Sequence, residues 1–145
     1  MKEDRPQPHC PSARPEMAGS KVFGIVGGTV EEPRVGYLAE PLPVTREILA
    51  LAEPARSGEV FRIAAPCAGH GCQHFDGSRC RLVQRIVRSL PVVVEELPPC
   101  ALRPTCLWFH QEGKAACLRC PQIVSETCGP SDALLQAADP TMPVA

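Results

Sequence analysis

The sequence predicts an α+β fold: a small, irregular single domain in which a β-hairpin, a helix and a strand precede a cysteine-rich helical region. Strand-like patterns are confined to residues 21–64, and the clearest helical periodicity falls in residues 80–90. Eight of the nine cysteines lie between Cys67 and Cys128. Seventeen prolines and eleven glycines in 145 residues favour short elements and limit the apolar core.

The first 20 residues are rich in proline, serine and charge, and we expect them to form a disordered arm. Cys10 lies in this arm and is predicted to be a free thiol, with a role as a distant metal ligand as the less favoured alternative. The folded domain is predicted to span residues 21–128, with 21–64 as the scaffold and 65–128 as the cysteine-rich part. Residues 129–145 are predicted to form a short helix and a tail.

The scaffold begins with a strand, a turn and a second strand over residues 21–38. The segment Val22–Val26 is rich in β-formers, Gly27-Gly28 breaks it, and an extended segment resumes at Val35–Leu38. The glycine pair lacks both the third glycine of a dinucleotide loop and the Gly-Lys-Ser/Thr of a phosphate loop. A hairpin or bulge is therefore its predicted role.

A helix and a strand complete the scaffold. Thr45 is suited to cap a helix that starts at residue 46 and ends at Pro54. Residues 59–64 then alternate polar and apolar side chains, which predicts a strand that is buried on one face only. This strand leads directly to Cys67, the first of the clustered cysteines.

The cysteine-rich part is predicted to be mainly helical. Residues 80–90 place leucine, isoleucine and valine on one face and arginine on the other. For residues 92–97 the pattern leaves a short strand and a helical turn both open. Three further segments are predicted to be helical: residues 104–112, ended by Gly113; residues 115–118; and residues 132–138, capped by Ser131.

The cysteine spacing distinguishes two kinds of metal site. Structural zinc sites pair two tight knuckles, whereas here only Cys117-x2-Cys120 is tight. The wider pair Cys67-x4-Cys72 lies beside His70 and His74, so a mixed Cys/His zinc site stays an alternative. The remaining gaps suit iron–sulfur clusters, whose thiolate ligands arrive from scattered loops. The sequence therefore favours iron–sulfur binding over zinc binding.

Two local features also favour a cluster. Cys120-Pro121 matches the Cys-Pro with which the ligand run of bacterial ferredoxins ends. The glycines on either side of His70 would let backbone N–H groups approach the neighbouring sulfur atoms, and such hydrogen bonds tune the reduction potential.

Eight cysteines are the predicted ligands, which is enough for two [4Fe–4S] clusters. One cluster with spare thiols, and a three-cysteine site with an open iron, remain possible on spacing alone. Cys128 is the member with the least support. The predicted set is Cys67, Cys72, Cys80, Cys100, Cys106, Cys117, Cys120 and Cys128.

The stretch from Val22 to Pro121 resembles small bacterial cysteine-rich, iron–sulfur-type proteins, some of them labelled as related to nitrogen fixation. Three segments carry the resemblance: Val-Phe-Gly-Ile-Val-Gly-Gly-Thr29, Ala-Pro-Cys-Ala-Gly-His-Gly-Cys72 and Gly-Lys-Ala-Ala-Cys-Leu-Arg-Cys-Pro121. The resemblance implies a metal-binding role and brings no defined activity.

Charge and motifs restrict the functional classes. The formal charge of −1 gives no general attraction to nucleic acid or membrane, and no segment reaches the roughly 18 apolar residues of a membrane helix. The N-terminus lacks the pattern of a secretory signal, so we expect a cytoplasmic protein with reduced thiols. Hydrolase, metalloprotease and nucleotide-binding motifs are absent. His74 and Asp76 are the one candidate acid–base pair, and a stand-alone enzyme is not expected.

Three functions follow from the sequence as hypotheses. The first is an iron–sulfur protein that exchanges electrons with a redox partner protein or senses redox state. The second is a zinc-stabilised module that binds a protein or nucleic acid. The third is an accessory factor that handles metal. The second hypothesis would use a basic face made of Arg79, Arg81, Arg85 and Arg88.

Overall fold

The computed structural model describes residues 8–29, 32–123 and 132–142, and it confirms the α+β class. Its four strands form one antiparallel sheet in the order β1-β4-β2-β3. The strands are β1 (His9–Cys10), β2 (Lys21–Gly28), β3 (Pro33–Pro43) and β4 (Phe61–Pro66). The helices are α1 (Arg46–Ala50), α2 (Ser57–Val60), α3 (Arg81–Ser89), α4 (Leu107–Glu112), α5 (Lys114–Cys117) and α6 (Asp132–Ala138).

The predicted hairpin is present as β2 and β3. Ile25 pairs with Gly36, and a register shift between Val22 and Gly24 marks a bulge in β2. Gly28 has φ of +71°, a backbone conformation that favours glycine, and it ends β2 at the turn. The glycine pair therefore has the turn role that the sequence predicts.

The predicted cap of α1 is confirmed, since the Thr45 side chain accepts a hydrogen bond from the Ile48 N–H at 3.2 Å. The helix is shorter than expected and ends at Ala50. Residues 57–58 are Ser-Gly, a pair that is typical of turns. In the structure they form the start of the four-residue helix α2.

Strand β4 is buried on both faces, and the prediction of a half-buried strand is wrong. Phe61, Ile63 and Ala65 pack into an apolar cluster that includes Ala52 of the α1 side. On the opposite face Ala64 packs with the helices of the cysteine-rich part. The polar residue of the alternating pattern, Arg62, is 0% exposed because its guanidinium is held inside the protein.

The prediction that residues 1–20 form a disordered arm is wrong for the described part, residues 8–20; residues 1–7 lie outside the described residues. His9 pairs with Pro66 and Cys10 with Ala65 in an antiparallel ladder. Ala13 donates its N–H to the Ile63 carbonyl at 2.9 Å and is buried. The arm is therefore an integral edge of the sheet, and the domain begins before residue 21.

The cysteine-rich part packs its short helices around Trp108, which is 1% exposed. The predicted helix at 104–112 is divided into a 3-10 turn at Arg103–Thr105 and α4, and Gly113 ends it with φ of +69°. Residues 115–118 overlap α5, as predicted. Residues 92–97 form neither a strand nor a helix.

Helix α6 matches the predicted bounds 132–138, although its proposed cap Ser131 lies outside the described residues. It packs against α3, and Arg85 donates from Nε to the Ala137 carbonyl at 2.8 Å. Within the segment predicted to form a short helix and a tail, the described residues 132–142 include this helix, which packs on the domain. Within the described ranges, no helix is both long and apolar enough to cross a membrane.

Candidate metal centre

The eight cysteines that the structure describes fall into two sets of four, each lining its own cavity. The cavity of the first set has a volume of about 760 Å³, and that of the second set about 20 Å³. None of the eight is in a disulfide. The first set is Cys10, Cys67, Cys72 and Cys80, and the second set is Cys100, Cys106, Cys117 and Cys120.

Strand β1 brings Cys10 to the first set. Pairing of Cys10 with Ala65 places it beside the end of β4, and the Cys67 N–H donates to the Pro8 carbonyl at 2.9 Å. Burial raises the pKa of the Cys10 thiol to about 12; a backbone hydrogen bond from Ser12 opposes the rise, and negative charge on the other three cysteines of the set contributes to it. Cys10 therefore lines the same cavity as the three cysteines from residues 67–80 and lies close enough to interact with their charges.

Sequence reasoning missed Cys10 because its neighbours suggested a loose arm. One signal was available, since Cys10-Pro11 repeats the Cys-Pro of Cys120-Pro121. Both prolines are buried next to their cysteines. The Cys-Pro dipeptide thus occurs once in each set.

The loop from Cys67 to Cys80 is held by backbone hydrogen bonds. The Gly69 N–H donates to the Cys67 sulfur at 3.4 Å, which fits the role predicted for the glycines around His70. The His74 N–H donates to the Cys72 sulfur at 3.5 Å. N–H contacts to sulfur are a means by which proteins tune metal-bound cysteines.

Cys80 and Cys106 each precede the first residue of a helix, and both are buried. Burial raises the pKa of both thiols, that of Cys106 to about 12. Backbone N–H groups in the first turn of each helix oppose this rise, from Val83 and Leu82 at Cys80 and from Phe109 and Trp108 at Cys106. Each set therefore has one buried thiol at the start of a helix, where first-turn N–H groups offset part of the cost of burying a thiolate.

The second set is shaped by residues 98–122. Arg103 donates from Nη2 to the Pro98 carbonyl and lies over the Phe109 ring, 5.7 Å from its centroid. Burial raises the pKa of Cys100 and of Cys117, and the Arg103 guanidinium lowers both in part. The positive charge of Arg103 is thus placed where thiolates of the second set would form.

The two sets are neighbours. His9, next to Cys10, forms a parallel bridge with Cys106 of the second set. Arg62 donates one hydrogen bond to the Cys120 carbonyl at 2.6 Å and another to the Pro11 carbonyl at 3.0 Å. The Arg62 side chain is therefore hydrogen bonded to backbone at or next to a cysteine of each set.

Buried nitrogen atoms around the cysteines are short of acceptors. In the described part of the chain four such side-chain nitrogens have no hydrogen-bond partner: His9 Nδ1, Arg62 Nε, Arg103 Nε and Trp108 Nε1. Orphaned buried donors are rare and indicate a missing acceptor. His9 precedes Cys10 in the sequence, and Trp108 is two residues after Cys106. Arg62 is hydrogen bonded to the Cys120 and Pro11 carbonyls, and Arg103 lines the second cavity. Of the four, Arg103 lines the second cavity, where an anionic group would supply an acceptor.

The predicted His74–Asp76 pair is absent. His74 Nδ1 lies 2.7 Å from Arg85 Nη2, and burial followed by the Arg85 charge lowers the pKa of His74. Asp76 Oδ1 instead accepts from the Ser78 and Arg79 N–H groups at 2.9 and 2.8 Å, and these bonds lower its pKa. The two side chains act separately, so they do not form an acid–base couple.

The predicted basic face on α3 is also incomplete. Arg85 is 2% exposed and donates to carbonyls of the C-terminal segment, so its charge is inside the protein. Arg79 and Arg88 are exposed, and Arg81 is half-buried. The arginines therefore do not form one continuous surface.

Two predicted participants are not placed. Cys128 and the side chain of His70 lie outside the part of the chain that the structure describes. Among the described residues no group of three or more His, Cys, Asp or Glu side chains is arranged to hold a metal ion. Comparisons with protein-family models, with curated proteins and with solved structures gave no match.

Proposed function

We propose that each cysteine set binds one [4Fe–4S] cluster and that the protein exchanges electrons with a partner protein or senses redox state. The observation that carries this proposal is the grouping of eight described thiols into two sets of four, each around its own cavity. Four thiolates per cluster is the usual complement. Free thiols in this number also fit a reducing compartment, and we propose the cytoplasm.

The donor sets fit a cluster better than a single ion. A cluster has its irons at several corners of a cage, so its four thiolates surround a volume instead of one point. The first cavity, at about 760 Å³, offers such a volume. The second is water-sized at about 20 Å³, so a cluster there requires its four thiol side chains to turn outward about χ1.

The surroundings of the thiols fit an anionic cluster. Bound to the two sets, the clusters would supply one-electron redox chemistry. Arg103 provides positive charge beside the second set, and Arg85 lies beside Cys80 of the first set. Leu102, which is buried, lines the second cavity and limits the access of water to it. Charge, N–H donors and burial are the three factors by which a protein sets cluster potential.

Electron exchange with a partner is favoured over catalysis within this chain. The only acid–base pair suggested by the sequence is not formed, since His74 contacts Arg85 and Asp76 closes a turn. The zinc-module alternative has less support, because its basic face is interrupted by buried Arg85.

The test is anaerobic purification followed by iron, acid-labile sulfide and zinc analysis with a visible absorption spectrum. Two clusters predict about eight irons and eight sulfides per chain together with broad visible absorption that bleaches on reduction. One or two zincs per colourless chain would overturn the proposal and support the zinc-stabilised module. Substoichiometric metal that exchanges readily would support the metal-handling alternative.

A further inference from the structure

Within the described residues, the Arg62 side chain donates hydrogen bonds to backbone beside both cysteine sets. Its Nη1 donates to the carbonyl of Cys120, a member of the second set, at 2.6 Å. Its Nη2 donates to the carbonyl of Pro11, next to Cys10 of the first set, at 3.0 Å. The planar guanidinium fixes the angle between these two donors, so the two Cys-Pro segments are held in a defined relation.

The charge of Arg62 has no carboxylate partner among its described contacts. It lies on β4 with 0% exposure, and its contacts are two carbonyl groups and the Phe23 ring, whose centroid is 5.3 Å from Cζ. Its Nε has no partner within the described part of the chain. A buried guanidinium keeps its proton, and burying a charge without an opposite charge is costly.

The missing opposite charge is available in the cysteine sets. Four thiolates around an iron–sulfur core carry net negative charge. Arg62 is hydrogen bonded to Cys120 of the second set and to Pro11, which follows Cys10 of the first set. Two backbone carbonyls alone supply only partial negative charge. The position of Arg62 between the sets therefore matches that of a shared counter-charge.

We propose that Arg62 is a positioning residue that fixes both Cys-Pro segments and serves as the common counter-charge of the two clusters. This inference rests on the proposed function. A positive charge close to a cluster stabilises its reduced, more negative state, so Arg62 raises the reduction potential of both clusters. A purely structural role would leave the potentials unchanged.

The experiment is a potentiometric titration of the full chain, purified anaerobically and followed by electron paramagnetic resonance. The variants are Arg62→Gln, Arg62→Lys and the control Arg46→Gln, whose residue is exposed on α1. In Arg62→Gln the one-electron reduction constant of each cluster is expected to fall at least tenfold, which corresponds to about 59 mV. Arg46→Gln is expected to match the wild type.

Arg62→Lys keeps the charge but replaces a fixed fork by one ammonium group. It is expected to lower the reduction constant of one cluster tenfold and to leave the other within about twofold, since one group cannot be placed equally for both carbonyls. This variant decides the question if Arg62→Gln fails to fold. Wild-type potentials for both clusters in Arg62→Gln, or in Arg62→Lys where Arg62→Gln does not fold, overturn the inference alone, whereas a wild-type chain without iron and sulfide overturns the proposed function as well.

Discussion

Cys10 lies directly opposite Ala65 in the antiparallel ladder between β1 and β4, two residues before Cys67. This pairing makes the N-terminal segment part of the candidate metal centre. It also completes a set of four whose other members come from residues 67–80. The first set therefore depends on a strand that forms only when the chain is folded.

Replacing Cys10 with serine is expected to remove about half of the bound iron and sulfide, since the first set loses a thiolate and the second set does not. Iron and sulfide analysis of the anaerobically purified variant checks this. Cys128→Ser is the comparison, because the described sets are complete without it, and it is expected to retain wild-type iron. Full iron content in Cys10→Ser would show that Cys10 is not a ligand.

Replacing Cys106 with serine is expected to remove the other half of the iron and to leave the first cluster intact. The double variant Cys10→Ser/Cys106→Ser is then expected to bind neither cluster. The measurement is the same metal analysis, with the visible spectrum as a second readout. Loss of all iron in each single variant would contradict two separate sites.

Trp108 tests how much the core of the cysteine-rich part depends on one side chain. Trp108→Ala is expected to lower the free energy of unfolding by about 3–5 kcal/mol, the usual range for truncating a buried tryptophan. Trp108→Phe is expected to cost much less, because most of the volume stays and the unpaired Nε1 is removed. Denaturant unfolding of both variants measures the difference, and equal losses would contradict this account.

Asp76 supplies a pH-dependent contribution to the loop that carries Cys72 and Cys80. Its folded pKa is depressed by hydrogen bonds from Arg79 and Ser78, so its stabilising effect is complete above the unfolded carboxyl pKa. The effect is lost as pH falls through the folded value. Asp76→Asn is therefore expected to be less stable than wild type at pH 7 and to approach it below about pH 4.

Unfolding of wild type and Asp76→Asn over this pH range provides the test. Asn keeps one side-chain acceptor, so the comparison isolates the charge from the turn geometry. A difference that stays constant from pH 7 to acid would assign the effect to geometry instead of charge.

Arg85 is expected to be structural, in contrast to the exposed Arg79. Arg85→Gln breaks charge-assisted bonds to Ala137 and to His74, and each such bond is worth roughly 1.5–3 kcal/mol. Arg79→Gln is expected to change stability by less than about 0.5 kcal/mol. Thermal or denaturant unfolding separates the two, and equal effects would restore the interpretation of α3 as a basic surface.

Local patterns predicted the elements that depend on local chemistry. The Thr45 cap, the end of α4 at Gly113 and the bounds of α6 follow from side-chain capping, backbone freedom and periodicity, each within a few residues. The half-buried strand and the disordered arm were wrong predictions, and both depend on contacts with residues distant in the sequence. Arg62 is polar in an alternating strand, yet two carbonyls from other segments hold it inside.

The cysteines of the candidate site divide in the same way, into those that local sequence identifies and one that depends on a distant contact. Spacing identified seven of the eight thiols that the structure groups, because those seven are close in sequence. It did not identify Cys10, since only the pairing of β1 with β4 brings that residue near Cys67. How the thiols divide into two sets also depends on tertiary structure, and spacing left several groupings open.

The two sets differ in how far along the chain their members are spread, and this sets an order of assembly. The second set is contained in residues 100–120, so only short loops must close to gather it. The first set needs Cys10 to meet residues that follow the whole hairpin and α1, and closing a longer loop costs more entropy and slows formation. During synthesis the first set stays incomplete until β4 has emerged and paired with β1. A chain caught before that step would present three thiols of the first set beside an edge of β4 that still lacks its partner strand.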